Sequence, residues 1–479
     1  MAVATQLEPN VPLCVDLDGT LIKSDILVES FFALLRKDPR YAYVAPFWLS
    51  KGKAYLKHQI AERVDIDVTS LPYHPSLLEH LKAERAKGRR IVLVTACNQG
   101  PGKRVAEHIG IFDEVLASDG KINLAGKAKL RTLVKKYGEK GFDYIGGAPI
   151  DLHIWPHANK AILVNPERGV EKAARRSSNV EQVFDDRKPG LKAYLKAIRA
   201  YQWLKNLLVF VPLVAAHKVA DPTAVLQAVM AFIAFSLCAS GCYILNDLLD
   251  LPADRSHPRK RHRVFAAGTV SLVSGALLIP VLLFGGIIAA LSLPLIFLAL
   301  LSAYVVLSFS YSVYLKKFAG VDVFVLAGLY TSRIVAGTVA IQEQHSFWLM
   351  AFSIFIFLSL ALAKRIAELQ LHVQDFSHAI QGRGYRVSDL EALYSMGTAS
   401  GYVSVVVIAL YVNSVDVMLA YAQPEWLWLI CPLLLYWVSR LWLKTRRGDM
   451  HDDPLLYTIR DKQSRIVGVL AVLVCLLAI

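Results

Sequence analysis

The character of the sequence changes near Leu207, and this change constrains the fold more than any other feature. Residues 1–200 are rich in Lys, Arg, Asp and Glu and have the composition of a soluble domain. From Leu207 onward the sequence is a series of long apolar blocks, and 55% of all 479 residues are hydrophobic, a value typical of chains that cross a membrane. We therefore expect two domains, one soluble and one membrane-spanning.

The apolar half contains nine separate apolar segments. Seven of them are long enough to cross about 30 Å of hydrocarbon at about 1.5 Å per helical residue. The first, residues 207–216, and the last, residues 466–479, are short, and the first can be extended backward through residues 201–206 as an interfacial helix. The pattern predicts an all-α transmembrane bundle of nine helices. The segments are centred near residues 210, 234, 280, 302, 330, 357, 407, 433 and 472.

The connections between these segments differ sharply in charge. One alternating set contains eighteen Lys and Arg residues, and the other contains only Lys218. Short basic connections usually face the cytoplasm, and the chain begins without the basic and apolar regions of a signal peptide. We therefore expect the N-terminal domain inside, the C-terminus outside and a location in the inner membrane; orientation also explains the net charge of +14 without nucleic acid. The basic connections are residues 246–269, 310–319, 364–395 and 440–465.

Two acids follow the first apolar strand of the soluble domain, in the string DLDGT at residues 16–20. Carboxylates at the carboxyl end of a parallel strand lie where ligands bind in open α/β folds. Three further strings occur in order: an apolar run ending in Thr95, then Lys129, then YIGGAPID at residues 144–151. Together they resemble the haloacid dehalogenase superfamily over residues 11–166. The resemblance implies a Rossmann-like α/β fold with a small helical cap at about residues 25–88.

The resemblance also implies phosphatase chemistry for these residues. Asp16 would attack phosphorus, and Asp18 would protonate the leaving alcohol and later activate water. Thr95 and Lys129 would hold the phosphoryl oxygens. Asp16 and Asp151 would bind Mg²⁺, which neutralises the anionic phosphate.

One position departs from the superfamily pattern. Gly147 stands where most members have an acid or an amide. Metal binding would then depend on Asp16, Asp151, water and a backbone carbonyl. The alternative to an active phosphatase is a domain retained for folding or docking.

A cluster of acids ends the second apolar segment. If the helix continues through them, Asn246, Asp247, Asp250 and Asp254 lie within an arc of about 100°, although Pro252 loosens this turn. Carboxylates at a membrane boundary are costly to desolvate, and Mg²⁺ with a diphosphate is a natural counter-charge. A solvated loop is the alternative, but it does not account for the spacing of the acids. Basic residues that follow would complete the diphosphate pocket: Arg259, Lys260 and Arg263.

This acidic motif and the basic string after it resemble the UbiA superfamily of intramembrane prenyltransferases over about residues 190–479. Aromatic prenyltransferases of that superfamily carry a second acid-rich motif, and this chain has Lys364 and Arg365 there. The strings QWLKN at residues 202–206, Tyr311 with Lys316, and DDP at residues 452–454 resemble the branch that transfers phosphoribosyl groups to polyprenyl phosphates. In that branch, phosphoribosyl diphosphate supplies the Mg²⁺-bound leaving group.

The sugar 5-phosphate and the lipid phosphate would then need cations of their own. Arg333 lies well inside the fifth apolar segment, where an arginine is usually paired or faces a ligand. A structural pair with Asp322 or Asp250 is the alternative for this residue. The substrate-binding set that we predict is Lys205, Tyr311, Lys316, Arg333, Lys364 and Arg365.

These inferences predict a phosphatase-like domain at residues 1–170, a linker at 171–190 and a membrane transferase domain at 191–479. The expected partners are the bilayer, a polyprenyl phosphate and phosphoribosyl diphosphate, in cell-envelope biosynthesis; a homo-oligomer stays open. The fused phosphatase would remove the 5-phosphate of the product. The main alternative is an aromatic prenyltransferase with an inactive phosphatase-like domain. An ion pump, which would place the phosphatase fold between spans, and a non-catalytic lipid-binding scaffold are weaker alternatives.

Overall fold

The computed structural model describes residues 11–186, 190–374, 384–450 and 453–478. The chain forms two compact units. The first contains the described residues up to Ile198 together with Ile244–Leu278, and the second contains Arg199–Tyr243 and the described residues from Ile279 onward. The acidic motif therefore belongs to the same unit as the N-terminal fold, whereas chain order alone had assigned it to the membrane domain.

A six-stranded parallel sheet forms the centre of the first unit, with the strand order β3-β2-β1-β4-β5-β6. Three of the inner strands, β1, β4 and β5, are buried throughout and apolar apart from Asp143, as expected when helices cover both faces of a parallel sheet. The chain leaves β1 toward β2 on one side and returns to β4 on the other, so ligands are expected at the carboxyl end of β1. The strands are β1 (Leu13–Val15), β2 (Ile91–Asn98), β3 (Glu114–Ser118), β4 (Asp143–Gly146), β5 (Ala161–Val164) and β6 (Val180–Phe184).

Helices of this unit form two groups. The first three enclose a small core of Leu34, Trp48 and Ile60, and they make up the cap. The fourth packs Leu77 and Leu81 on the sheet, so the predicted cap included one helix that belongs to the sheet layer. The helices before residue 190 are α1 (Ile26–Lys37), α2 (Tyr41–Ser50), α3 (Lys53–Ala61), α4 (Pro75–Ala86), α5 (Gln99–Ile109), α6 (Lys127–Tyr137) and α7 (Val170–Ser177).

The segment predicted as a linker, residues 171–190, is mostly folded. It contains all but the first residue of α7, whose Val170 and Ala174 are buried in the core, and it contains β6, which pairs with β5. The prediction was wrong because short, charged elements at the edge of a fold resemble a polar linker in sequence. Residues 187–189 of this segment lie outside the described residues.

The chain after residue 190 is helical. In the described residues, seven helices are long and apolar enough to cross a membrane. They are α10, α12–α15, α16 with the preceding 3₁₀ turn Val387–Asp389, and α18 with the preceding 3₁₀ helix Pro424–Leu429. The prediction of nine spans was therefore too high. The helices are α8 (Leu191–Ala197), α9 (Val211–Ala215), α10 (Pro222–Leu249), α11 (Leu251–Ser256), α12 (Leu272–Ala290), α13 (Leu295–Val313), α14 (Val321–Ala340), α15 (Phe347–Gln374), α16 (Leu390–Val412), α17 (Val415–Ala420), α18 (Ile430–Arg446), α19 (Pro454–Arg460) and α20 (Lys462–Ala478).

The two apolar segments that fall short differ from the others in local structure. The first is a 3₁₀ helix, Ala200–Phe210, followed by α9 with Pro212 in its first turn. The last, α20, has 17 residues and carries Lys462 and Arg465 at its start. Neither is a single apolar α-helix of membrane-spanning length.

Candidate active sites

The sheet brings the phosphatase-like motifs together at its carboxyl edge. Asp16 directly follows β1, Thr95 lies in β2, and Lys129 lies in α6. Asp151 lies in a 3₁₀ helix, Pro149–His153, that follows β4. All four side chains are buried, with exposed fractions of 8%, 0%, 4% and 1%.

A chain of hydrogen bonds connects the two acids of this site. Lys129 Nζ donates to Asp16 Oδ1 at 2.7 Å and to the Tyr144 hydroxyl at 3.0 Å. The Tyr144 hydroxyl donates to Asp151 Oδ1 at 2.9 Å. Tyr144 was absent from the predicted site, although its place at the end of a central strand in YIGGAPID was a usable signal. One ammonium group and one hydroxyl thus bridge the two carboxylates by hydrogen bonds.

Two acids of this site have pKa values that their surroundings raise. Burial, with the negative charge of Asp16, raises the pKa of Asp151 to about 6. Burial, followed by the charge of Asp25, raises the pKa of Asp18 well above the ordinary value. Asp18 Oδ1 also accepts a hydrogen bond from the Ile26 amide at 2.8 Å, which anchors the start of α1. A raised pKa favours the protonated carboxyl, which is the form that can donate a proton to a leaving group.

The backbone around Gly147 leaves no room for a side chain at this position. The Gly147 amide donates to Asp151 Oδ2 at 3.0 Å, and a Cβ at this position would lie 2.0 Å from the carbonyl oxygen of Val164. The acid or amide that is usual here in the superfamily cannot be accommodated by this backbone. Asp16 and Asp151 still fit Mg²⁺ as hard oxygen donors, because their mutual repulsion is what a divalent cation would relieve.

Helical spacing continues through the acidic motif despite a break. α10 ends at Leu249, and Asp250 is the N-cap of α11. The Asp250 amide donates to the Asn246 carbonyl at 3.0 Å, and the Asp254 amide donates to the Asp250 carbonyl at 2.8 Å. Asp247 and Asp254 are each 3% exposed, whereas Asp250 and Asn246 are half-buried.

Arg263 neutralises two of these acids. Its Nη1 lies 3.1 Å from Asp247 Oδ1 and 2.7 Å from Asp254 Oδ2. Burial raises the pKa of Asp254, and the charges of Arg263 and Lys260 offset this only in part. The donor set fits Mg²⁺ chemically, since it consists of carboxylates that already share one positive charge. Arg259, by contrast, is exposed.

No group of three or more His, Cys, Asp or Glu side chains in the described part of the chain is arranged to hold a metal ion. At each of the two acidic sites of the first unit, two acids are instead bound through basic or hydroxyl side chains. A metal at either place would therefore need water, backbone or substrate oxygens as further ligands, as is usual for Mg²⁺.

The second unit contains a largely buried cluster around Asp453, in which Lys205 is buried and Lys364 is half-buried. Asp453 Oδ2 accepts hydrogen bonds from Lys205 Nζ at 2.6 Å, from Lys364 Nζ at 3.3 Å and from the Tyr330 hydroxyl at 3.4 Å. Burial raises the pKa of Asp453, but the two ammonium groups lower it by more, so that it lies well below the ordinary value. The cluster, Lys205, Asp453 and Lys364, carries net positive charge. Asp452, which precedes it in the DDP string, lies outside the described residues.

Arg333 is held by neutral groups. It is 3% exposed, its Nε donates to Asn206 Oδ1 at 2.8 Å, and its Nη2 donates to the Tyr304 hydroxyl at 3.0 Å. Its guanidinium also lies over the Tyr304 and Tyr330 rings, at 5.0 and 5.6 Å from their centroids. Lys316, in the 3₁₀ helix Leu315–Lys317, is 9% exposed, and Tyr311 is half-buried.

Arg365 has a different environment from its neighbour Lys364. Its Nη2 lies 2.6 Å from Asp322 Oδ2, its Nη1 contacts Glu368, and both Arg365 and Asp322 are 0% exposed. The Tyr385 hydroxyl binds the other oxygen of Asp322. Asp322, considered from sequence as a partner of Arg333, therefore pairs with Arg365. This arrangement corrects the grouping of Arg365 with the phosphate-binding cations, since its charge is used in a structural pair.

Comparison with known proteins identifies two families along the chain. The UbiA prenyltransferase family matches residues 207–461, and the haloacid dehalogenase-like hydrolase family matches residues 13–138. Protein y4nM of Sinorhizobium fredii is 38% identical over 464 residues, which cover 96% of this chain and 89% of that protein. Nodulation protein NoeC of Azorhizobium caulinodans is 37% identical over 278 residues, 57% of this chain and 89% of that protein.

A third relative is the decaprenyl-phosphate phosphoribosyltransferase of Mycolicibacterium smegmatis. It is 34% identical over 183 residues, which cover 37% of this chain and 57% of that protein. The similarity therefore concerns part of each chain. Taken with the fold and the matched residues, these comparisons show that the chain belongs to the UbiA prenyltransferase family and carries a haloacid dehalogenase-like domain before its membrane helices.

Proposed function

We propose that this protein transfers the phosphoribosyl group of phosphoribosyl diphosphate to a polyprenyl phosphate, and that its phosphatase-like domain then removes the 5-phosphate of the product. The observation that carries the proposal is the largely buried cluster of Lys205, Asp453 and Lys364. Similarity to the phosphoribosyltransferase of Mycolicibacterium smegmatis supports the same choice.

The number of phosphate groups on the substrates distinguishes this reaction from aromatic prenylation. Phosphoribosyl transfer brings two phosphates to the site in addition to the diphosphate, and an aromatic acceptor such as 4-hydroxybenzoate brings none. The two ammonium groups that share the Asp453 carboxylate keep a net positive charge, which a phosphate dianion can satisfy. Arg333, whose hydrogen-bond partners among the described residues are all neutral, is a second source of positive charge for a phosphate.

In the transfer step, an oxygen of the lipid phosphate attacks C1 of the ribose. The bond between C1 and the diphosphate oxygen breaks, and its electrons leave with the diphosphate. The attacking phosphate is already anionic near pH 7, so positioning and charge neutralisation supply most of the catalysis. Asp247, Asp250, Asp254 and Asn246 would hold Mg²⁺, which would neutralise the leaving diphosphate. Lys316 and Tyr311 would help to orient the sugar and lipid phosphates.

In the phosphatase step, Asp16 attacks phosphorus and Asp18 gives its proton to the ribose oxygen that leaves. Asp18 then accepts a proton from the water that hydrolyses the acyl phosphate. Lys129 and Thr95 hold the phosphoryl oxygens; the Thr95 oxygen accepts from the Cys97 amide at 3.0 Å, which leaves its own proton to donate. Mg²⁺ bound by Asp16 and Asp151 would reduce the charge on the phosphate. A shared chain raises the effective concentration of the product near this site.

The charge distribution supports a cytoplasmic location for both reactions. This orientation requires the segment Ala200–Ala215 to cross the membrane in addition to the seven longer helices. A 3₁₀ helix rises about 2.0 Å per residue and an α-helix about 1.5 Å, so the segment reaches roughly 30 Å. That length matches the hydrocarbon core of a bilayer.

The test is a product assay with the purified full-length protein in nanodiscs. Phosphoribosyl diphosphate, a polyprenyl phosphate and Mg²⁺ are supplied, and the lipid is analysed by mass spectrometry. We expect the ribosylated lipid from wild type, the 5-phosphorylated lipid from Asp16→Asn, and neither from Lys364→Met. Lys462→Met, at an exposed lysine, is the matched control.

The family match itself supports a second candidate, an aromatic prenyltransferase. Supplying 4-hydroxybenzoate and a prenyl diphosphate to the same preparation separates the two. Prenylated aromatic product without any ribosylated lipid would establish this second candidate. Phosphoribosylated lipid that persists equally in wild type and Asp16→Asn would remove only the phosphatase half of the proposal.

A further inference from the structure

Helix α2 of the cap presents an apolar surface to solvent. Tyr43, Phe47 and Leu49 are 88%, 61% and 49% exposed, and we call these three residues the α2 patch. The ten residues of α2 include no charged side chain. A surface helix normally carries polar residues on its outer face. The exposed side of α2 instead has the apolar composition of a helix face that packs against a partner.

The opposite side of α2 is buried within the cap. Ala45 and Trp48 are buried in the cap, and Trp48 belongs to the small core that α1 and α3 complete. The α2 patch is therefore distinct from the face of α2 that packs in the core of the cap. At about 100° per residue, all exposed positions of α2 fall in one continuous arc of about 160°. Apart from Ser50, that arc is apolar: Leu49, Ala42, Pro46, Ser50, Tyr43 and Phe47.

Basic residues flank the patch at both ends of the helix. The exposed Lys37 and Arg40 precede it, and the exposed Lys51 and Lys53 follow it. Lys51 Nζ lies 4.8 Å from the centroid of the Phe47 ring, which places a cation directly at the edge of the apolar surface. Asp38 is the one acid in these flanks, and Arg40 binds it in a two-oxygen contact.

Aromatic side chains edged by lysine and arginine are characteristic of helices that lie in the interface of a bilayer. The rings enter the boundary between headgroups and acyl chains, and the basic residues bind anionic headgroups. A water-exposed apolar surface on a protein otherwise marks a binding site. This chain has membrane-spanning helices of its own, so a lipid surface is the apolar partner to which the cap is permanently tethered.

We propose that α2 docks the cap onto an anionic membrane surface, with the α2 patch in the interface and the flanking lysine and arginine side chains on lipid phosphates. Docking would keep the phosphatase-like domain beside lipid headgroups, where a lipid-linked phosphate is presented. The proposal concerns a surface and does not depend on which group the membrane domain transfers.

The test places a fluorescent label on the patch of the full-length protein in liposomes. Cys431 and Cys475, the described cysteines that are not buried, are first changed to alanine. A bimane label is then attached at Phe47→Cys, with Tyr43→Cys as a second position. Ile122→Cys is the control, because Ile122 is 59% exposed in the same unit and far from α2 in sequence. The liposomes contain phosphatidylglycerol, with or without lipid that is spin-labelled near the headgroup.

We expect the spin-labelled lipid to cause loss of fluorescence at positions 43 and 47 and no loss at position 122. Replacing Lys51 and Lys53 by glutamate should reduce the loss at position 47 in these anionic liposomes. An equal loss of fluorescence at positions 47 and 122 on adding the spin-labelled lipid would overturn the proposal. Disulfide cross-linking between two copies through Phe47→Cys, without quenching by lipid, would also overturn it and would identify a second copy of the chain as the occupant.

Discussion

One carboxylate oxygen of Asp453 binds both Lys205 and Lys364, and the proposed function would bring a substrate phosphate to the same two ammonium groups. A buried charge is stable only when it is paired, and removing one partner leaves the other uncompensated. In the free protein, Asp453 keeps Lys205 and Lys364 close together in spite of their repulsion. The same contacts that stabilise the fold therefore also preorganise a phosphate-binding pair.

The first prediction concerns Asp453→Asn. The free protein should unfold at a lower temperature, because the buried Lys205 and the half-buried Lys364 lose their counter-charge. Breaking a fully buried pair costs about 3–5 kcal/mol, and the partial exposure of Lys364 makes the cost smaller here. Phosphoribosyl diphosphate should raise the unfolding temperature of the variant more than that of wild type, since its phosphate replaces the missing charge. Differential scanning fluorimetry in detergent measures both effects.

Asp461→Asn is the matched control, because Asp461 pairs with Arg440 outside this cluster. It should lower stability without changing the response to the ligand. An equal ligand response in wild type and both variants would contradict the phosphate-binding role of the cluster.

The second prediction tests the structural role of Arg365. Arg365→Met leaves Asp322 buried and without its main counter-charge, and the free energy of unfolding should fall by about 3–5 kcal/mol. Combining it with Asp322→Asn should restore part of the stability, because neither buried charge then remains. Unfolding in SDS measures this, and additive destabilisation in the double variant would contradict the pairing.

At the scale of elements, an ion pair joins α1 to α11 within the first unit. Arg255 binds both carboxylate oxygens of Glu29, at 2.8 and 2.7 Å, and the two side chains are 6% and 5% exposed. α1 begins beside Asp18, whose carboxylate binds the Ile26 amide. Arg255 directly follows Asp254. One buried contact thus links the helix that starts at the phosphatase-like site to the helix that carries the acidic motif.

The third prediction is that Glu29→Gln loosens both helices together. Arg255 would remain buried without a charged partner, and amide hydrogen exchange should become faster in α1 and in α11. Hydrogen–deuterium exchange with mass spectrometry measures both segments in one experiment. Glu171→Gln is the control, since its pair with Arg175 is exposed and worth about 0–1 kcal/mol. Faster exchange in α1 alone would contradict the link.

For the whole molecule, the orientation in the membrane decides which compartment the phosphatase-like domain and the acidic motif face. The fourth prediction is that a cysteine at Gln344 reacts with a membrane-impermeant maleimide in intact cells, because the proposed orientation places its connection outside. A cysteine at Ser256, in the basic connection, should react only after permeabilisation. Both positions are exposed to solvent in the structure. The opposite labelling pattern would place the phosphatase-like domain outside the cytoplasm.

Several features of this protein follow from sequence because their physical signals are local. Apolar runs predicted the seven long membrane helices, since length alone determines whether a helix spans hydrocarbon. The strand that runs into DLDGT predicted the sheet edge where Asp16 lies, since parallel strands end at a common edge. The three- and four-residue spacing of the acids predicted that Asp247 and Asp254 share a face, and Arg263 binds both.

Other features depended on the tertiary structure. Asp453 meets Lys205 across 248 positions of sequence, and Arg365 rather than Arg333 pairs with Asp322. Neighbouring cations such as Lys364 and Arg365 look equivalent along the chain, and only packing assigns one to a cluster and the other to a buried pair. The sequence by itself therefore determined which elements form and which chemical groups are present. The tertiary structure decided which charges neutralise one another, because that depends on distances between residues far apart in the chain.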